Sequence, residues 1–259
     1  MNIDFKDKIA VVTGASGGLG RAISMAFAEN GAKVALCDLK AADGLEREII
    51  QNGGQGKAYV LDITKRESIP EIFEQICRDF GGPIYALTNN AGINVGPDER
   101  KTIENFSDKW WDAITAVDLA GVYNCSKAAI SFMGEEGGSI TNISSIVGMV
   151  PLRNQCAFAA AKAGVINLTK AMAMELAEKK IRVNSVAPGT IGIEITNELW
   201  KNNDTMKALL AHIPMARQGR PEDVSNAVMF LSSELSSYIT GTVLPVDGGW
   251  TCGGYARNF

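Results

Sequence analysis

Seven short apolar runs, rich in β-branched residues, recur along the chain. They are KIAVVT (8–13), KVALCD (33–38), AYVLD (58–62), IYALTN (84–89), SITNIS (139–144), IRVNSVA (181–187) and TVLPVD (242–247). Each is nearly continuously apolar, as expected of a strand covered on both faces. Stretches of helical length lie between most of them. The early ones are 21–30, 44–53, 69–81 and a long one from Trp110 to Gly134. Phe158 to Lys179 and Glu222 to Ser232 follow. Strands alternating with helices predict an α/β fold of parallel βαβ units with right-handed crossovers. Residues 189–220 interrupt the alternation with Gly, Pro, Met and both charge signs, and are expected to form a flap over a site.

Composition narrows the class. The 259 residues, 46% of them hydrophobic, suit one large domain. Net charge is −4 without a strongly basic patch, so nucleic acid is not an expected partner. Five scattered cysteines with no CxxC pair read as a reduced, cytoplasmic protein. With one histidine, His212, no metal site is expected. The polar start MNIDFKDK does not read as a signal peptide, and no apolar run approaches membrane-spanning length.

The clearest chemistry follows the first strand. TGASGGLG (13–20) sets Gly14, Gly18 and Gly20 in a GxxxGxG spacing, between a strand and a helix. Glycines let the backbone approach a pyrophosphate, and a helix N-terminus offers free N–H groups. Asp38 ends the second strand, where a carboxylate can bind ribose hydroxyls and repel a 2′-phosphate.

These residues resemble the short-chain dehydrogenase/reductase family, and the resemblance runs from Lys8 to Gly249. It implies a single Rossmann-type doubly wound parallel sheet of about seven strands over residues 1–259. It also implies a nicotinamide cofactor, NAD rather than NADP given Asp38, with Lys40 the one feature that could soften the preference. By resemblance Ser16 and Leu19 join the three glycines at the phosphates, and Asp62 with Ile63 contacts adenine. Asn90, Ala91 and Gly92, in NNAG (89–92), shape the nicotinamide side. Pro188 and Gly189 form a PG step after which the backbone of Ile191 meets the carboxamide. A Thr common in the family five residues after that Pro is Ile193 here, with Thr196 three later.

The same resemblance locates the chemistry and shows two departures. The family has a Ser, a Tyr thirteen residues on and a Lys four beyond. Here those places hold Ser145, Phe158 and Lys162. Positions 158 and 162 share a helix face, where a Lys lowers the pKa of a phenol. Phe keeps the ring and loses the proton, a contribution of about 10² to 10⁴ in rate. The family's catalytic Asn, in a helix that AITAVDLAGVY (113–123) resembles, is Asp118 here. Two origins remain open for Phe158: an engineered Tyr→Phe exchange, or a natural branch that uses another donor or has lost catalysis. His212, Cys156, Tyr255 or a water held by Lys162 could replace the phenol.

A substrate pocket is expected between residues 151–155 and the flap. Asn94, Arg153, Asn154, Gln155 and His212 suit a small polar molecule such as a sugar, sugar acid or polyol; Leu199, Trp200, Met206, Leu209 and Leu210 could instead close an apolar lid. The tail, 250–259, carries Trp250, Tyr255, Arg257 and Phe259. The family implies a homotetramer with this tail at a subunit interface. Two functions stand open: an oxidoreductase of a secondary alcohol and ketone, and a catalytically silent nucleotide-binding sensor or structural subunit.

Overall fold

The computed structural model describes residues 3–193 and 203–253. All seven strands join one parallel sheet. They are β1 (Ile9–Thr13), β2 (Lys33–Asp38), β3 (Gln55–Val60), β4 (Ile84–Asn89), β5 (Gly138–Ile143), β6 (Ile181–Pro188) and β7 (Val243–Val246). Their spatial order is β3-β2-β1-β4-β5-β6-β7. The order reverses between β1 and β4, and in open α/β sheets a crevice forms beyond the strand ends at such a switch.

Both faces of the sheet are covered, which is why the strands look uniformly apolar. In β1 the side chains alternate by the two-residue period of a strand. Ala10 and Val12 join a core with Ile23 and Phe27 of helix α1 (Gly18–Glu29) and Val224 and Val228 of α8 (Pro221–Ser232). Ile9 and Val11 join the opposite core with Phe73 of α3 (Ile69–Phe80), Cys125 of α5 (Val122–Ile130) and Met172 of α6 (Cys156–Leu176). The remaining α-helices among the described residues are α2 (Asp43–Gln51), α4 (Asp108–Thr115) and α7 (Asn203–Leu210). In α3, Ile69, Phe73 and Ile76 recur on one face, Pro70 sits in the first turn, and Gly81 ends the helix at φ 73°.

Three expectations are corrected. The third strand begins at Gln55, not Ala58, and ends at Val60, because an edge strand buries little and its polar first half carries no apolar signal. The stretch from Trp110 to Gly134 is not one helix: α4 passes into a π-helical turn, Ala116–Gly121, before α5. Gly121 is buried there, and a Cβ on it would collide with Ile63. The flap is not wholly irregular, since it contains α7. Its residues 194–202, with Thr196, Leu199 and Trp200, and the tail residues 254–259, with Tyr255, Arg257 and Phe259, lie outside the described residues.

Candidate active site

The glycine loop between β1 and α1 is shaped by contacts of main chain with main chain. Gly14 has φ +64°, and a Cβ on it would come within 2.8 Å of Ala91 Cα. A Cβ on Gly20 would run into the Gly14 carbonyl oxygen. Gly17 precedes α1 without a side-chain cap, so the first helical N–H groups remain available to a ligand. The loop is clamped from β4: Asn90 Nδ2 donates to the carbonyls of Thr13 and Gly14, both at 3.0 Å. Thr13 Oγ1 in turn accepts from the N–H groups of Asn90 and Ala91 at 3.1 Å.

Asp38 is fixed by two main-chain donors. Its Oδ2 accepts from Ser16 N at 2.9 Å and its Oδ1 from Leu39 N at 2.7 Å. Asp62 accepts from the hydroxyl of Thr64 at 2.6 Å and from its N–H at 3.0 Å. The hydroxyl bond is the main reason its carboxyl is held below the ordinary aspartate range. A cleft of about 570 Å³ runs along these residues, lined by Gly14, Ser16, Asp38, Asp62, Ile63, Asn90 and Gly92 among others. Two carboxylates and no cationic side chain line it among the described residues. After β6, Gly189 packs so closely on Asp247 that a Cβ would lie 2.8 Å from its Cα. The chain then turns back, Ile191 pairing with Gly219 and Ile193 reaching Gly18 over the glycine loop. Ile193 thus lines the cleft, while the Ile191 side chain belongs to the core.

Charge defines the other end. Lys162 of α6 is only 4% exposed and Asp118 of the π-helical turn is wholly buried. Lys162 Nζ stands 3.0 Å from Asp118 Oδ2, off the line of a hydrogen bond, and donates to the Ile143 carbonyl at 3.1 Å. Asp118 Oδ1 accepts from Ile93 N at 2.8 Å. The pair lies beside the cleft wall: a Cβ on Gly92 would be 2.9 Å from Asp118 Oδ2 and 3.4 Å from Lys162 Nζ. Phe158, one turn before Lys162, has its ring centroid 5.5 Å from Nζ. It packs against Val95, Ile114, Ala157 and Ala161.

Ser145 follows β5. Its Oγ accepts from Val147 N at 3.2 Å and caps the 3-10 turn Ile146–Gly148. Gly148 lies on the α6 backbone at Lys162, where a Cβ would be 2.6 Å from the carbonyl carbon. That approach brings the serine turn to the level of Lys162. Asn94 Nδ2 donates to Gln155 Oε1 at 3.0 Å, joining two of the expected substrate residues. Arg153 and Asn154 are exposed in the preceding turn. His212 is exposed beyond α7, its Nδ1 2.6 Å from the Ala208 carbonyl. Burial pushes the Cys125 thiol up to about 12 and Cys37 higher still, which makes neither a ready nucleophile.

Sequence reading missed three parts of this site: the Ile93 N–H and Ile143 carbonyl that hold the buried pair, and the clamp from Asn90 to the glycine loop. The only advance signal was polar side chains at strand ends, Thr13 closing β1 and Asn90 just beyond β4.

A parallel sheet with a glycine loop at its switch point is the architecture of doubly wound nucleotide-binding proteins. A family model described as enoyl-(acyl carrier protein) reductase matches residues 14–251. A 3-oxoacyl-[acyl-carrier-protein] reductase of Thermotoga maritima is 39% identical over 245 residues, covering 93% of this chain and 97% of the relative. 3beta-Hydroxysteroid dehydrogenase 1 of Eggerthella lenta is 39% identical over 254 residues, covering 96% and 95%. Among solved structures, a putative 2-deoxy-D-gluconate 3-dehydrogenase from Agrobacterium tumefaciens with bound NADP superposes with TM-score 0.87. It is 32% identical, and the match covers 97% of this chain and 99% of that one. The chain belongs to the short-chain dehydrogenase/reductase family.

Proposed function

We propose that the chain is an NAD-dependent oxidoreductase interconverting a secondary alcohol and a ketone on a small polar substrate, with a sugar, sugar acid or polyol favoured. The observation that carries this reading is the buried Lys162, held over the Phe158 ring beside the wall of a cleft that begins at an uncapped helix and an open glycine loop.

The residues present fit a dinucleotide. Gly14 and Gly20 have no room for side chains, and the first turn of α1 has free N–H groups for phosphate. In this reading Gly14, Ser16, Gly18, Leu19 and Gly20 hold the pyrophosphate and Asp38 the adenine-side ribose. Asp62 and Ile63 meet adenine. Asn90, Ala91, Gly92, Pro188, Gly189 and Ile191 form the nicotinamide side, and Lys162 holds its ribose. The group supplies hydride exchange at a substrate carbon. Two carboxylates in the cleft and no cation among its described lining favour a ribose with free hydroxyls over a 2′-phosphate. NAD is accordingly preferred, although one structural neighbour carries NADP.

The protein's part is to hold the reacting oxygen with the Ser145 hydroxyl and to set the local charge with Lys162. Phe158, in the place of the family's tyrosine, has no proton to give. Asn94 and Gln155 supply amides for substrate hydroxyls, with Arg153, Asn154 and His212 further out. A homotetramer, its C-terminal tail on a neighbour, completes the proposal.

Phe158 also favours a second reading, in which the chain binds nucleotide and acts as a silent sensor or structural subunit. A screen of sugars, sugar acids and polyols against the native chain and Phe158→Tyr separates the two. The enzyme reading expects turnover to rise by roughly 10² on adding the phenol, the lower end of acid–base contributions. NADH binding without turnover by either chain favours the silent reading. High activity in the native chain, lowered by Phe158→Tyr, means that another group donates.

A further inference from the structure

We infer that Asp118 and Phe158 form one coupled exchange: the Asp118 carboxylate is a positioning residue that gives the buried Lys162 ammonium the counter-charge a phenolate at 158 would otherwise provide. The inference rests on the reading that Phe158 occupies the tyrosine place.

Lys162 is nearly inaccessible to water, and a buried ammonium must be paired. Among the described residues, groups from three elements face its Nζ, beside Gly92. From β5 comes the neutral Ile143 carbonyl at 3.1 Å, from α6 itself the uncharged Phe158 ring at 5.5 Å, and from the π-helical turn Asp118 Oδ2 at 3.0 Å. Ser145, across the turn, is also uncharged. Among the described residues Asp118 is therefore the one anion on Lys162. An amide at 118 would leave the ammonium with neutral oxygens and a hydrocarbon ring but no anion. A phenol at 158 would face a lysine whose charge is already claimed.

The main chain holds Asp118 in this role. Ile93 N fixes Oδ1 at 2.8 Å, which aims Oδ2 at Lys162 and at the space beside Gly92. A π-helical turn widens the helix locally and is a frequent device at functional sites. Here it carries the carboxylate into the protein interior, not to solvent.

The consequence is that one substitution rebuilds the usual pair only in part. With Phe158→Tyr alone, the phenolate would lie near a carboxylate as well as an ammonium, and a like charge opposes ionisation. Adding Asp118→Asn removes that opposition and leaves the ammonium to the phenolate. The direct test is the absorbance of the phenolate during pH titration of F158Y and D118N/F158Y, each read against the matching chain with Phe at 158. It needs neither cofactor nor substrate, so its outcome is separate from that of the activity screen. The expected result is a midpoint lower in the double variant by about one pH unit or more. Equal midpoints, or a higher one in the double variant, would overturn the inference.

Thermal unfolding supplies the second measure. Asp118→Asn is expected to lower Tm strongly with Phe at 158 and less with Tyr there, so the two changes are non-additive. A carboxylate that merely fills space would give additive effects. Failure of D118N/F158Y to fold would also overturn the inference, because the phenol would then be no substitute for the carboxylate.

Discussion

At the glycine loop, Gly14 and Gly20 bring main chain against main chain, and the carboxylates that line the cleft, Asp38 and Asp62, are partly open to solvent. At Lys162 an ammonium and a carboxylate face each other at 3.0 Å in the interior. The first region is closed to a Cβ where one would strike main chain, as at Gly14 and Gly20. The second depends on charge balance, so removing one partner injures the other. One region thus rests on sterics and the other on charge balance.

The sharpest way to break the charged region is Lys162→Met. The change leaves Asp118 buried without a counter-ion, and loss of one partner of a buried pair costs about 3–5 kcal/mol. Chemical denaturation should show that loss, with much of it recovered in Lys162→Met/Asp118→Asn. An undiminished loss in the double variant would mean that the pair is not what the lysine stabilises.

The matching break in the glycine region is Gly20→Ala. A single methyl must displace the Gly14 carbonyl, and overpacking of this kind costs roughly 1–3 kcal/mol. NADH affinity should fall in parallel, measured by calorimetry. Gly53→Ala makes the control: that position has φ +80° but nothing within 4 Å, so it carries backbone strain without a steric clash. It should leave NADH binding unchanged.

Cofactor preference is the next effect in size. NADH should bind at least tenfold tighter than NADPH, about 1.4 kcal/mol. Asp38→Ala should narrow the ratio. It should also cost some affinity for both cofactors, because Asp38 holds the Ser16 N–H of the loop. Equal affinities in the native chain would reject the assignment.

The smallest effect is a pH dependence at Asp62. Its carboxyl titrates below the ordinary aspartate value when folded, chiefly through the Thr64 hydroxyl. A depressed folded pKa stabilises above the unfolded value near ~3.9 and loses that contribution as pH falls through the folded one. Asp62→Asn should therefore lower Tm slightly at pH 7 and converge with the native chain in acid. A constant offset across that range would contradict it.

Sequence legibility followed the same division. The strands, the glycine loop and the acid after β2 could be read directly, because each is a local pattern with a local cause. The π-helical turn could not, since nothing between Ala116 and Gly121 marks the point where α4 widens. Nor could the burial of Lys162: on a helix its neighbours in sequence are compatible with solvent, and its partner is 44 positions earlier by residue number. Asp118 was visible as a departure, but its bond to Lys162 required the fold. The polar network of Asn89, Asn142 and Thr169 was missed for the same reason, its members coming from β4, β5 and α6.

The clamp from Asn90 to the glycine loop has a consequence for the order of folding. The atoms it joins are 76 residues apart in the chain, and β1 finds β4 only across the β2–β3 excursion. Contacts of such sequence separation pay their loop-closure entropy late and slow the search for the native state. During synthesis, β1, β2 and β3 can emerge and pair while the loop at Gly14 is still unclamped. The cleft is then a product of the middle of the chain, ready only once β4 has docked beside β1.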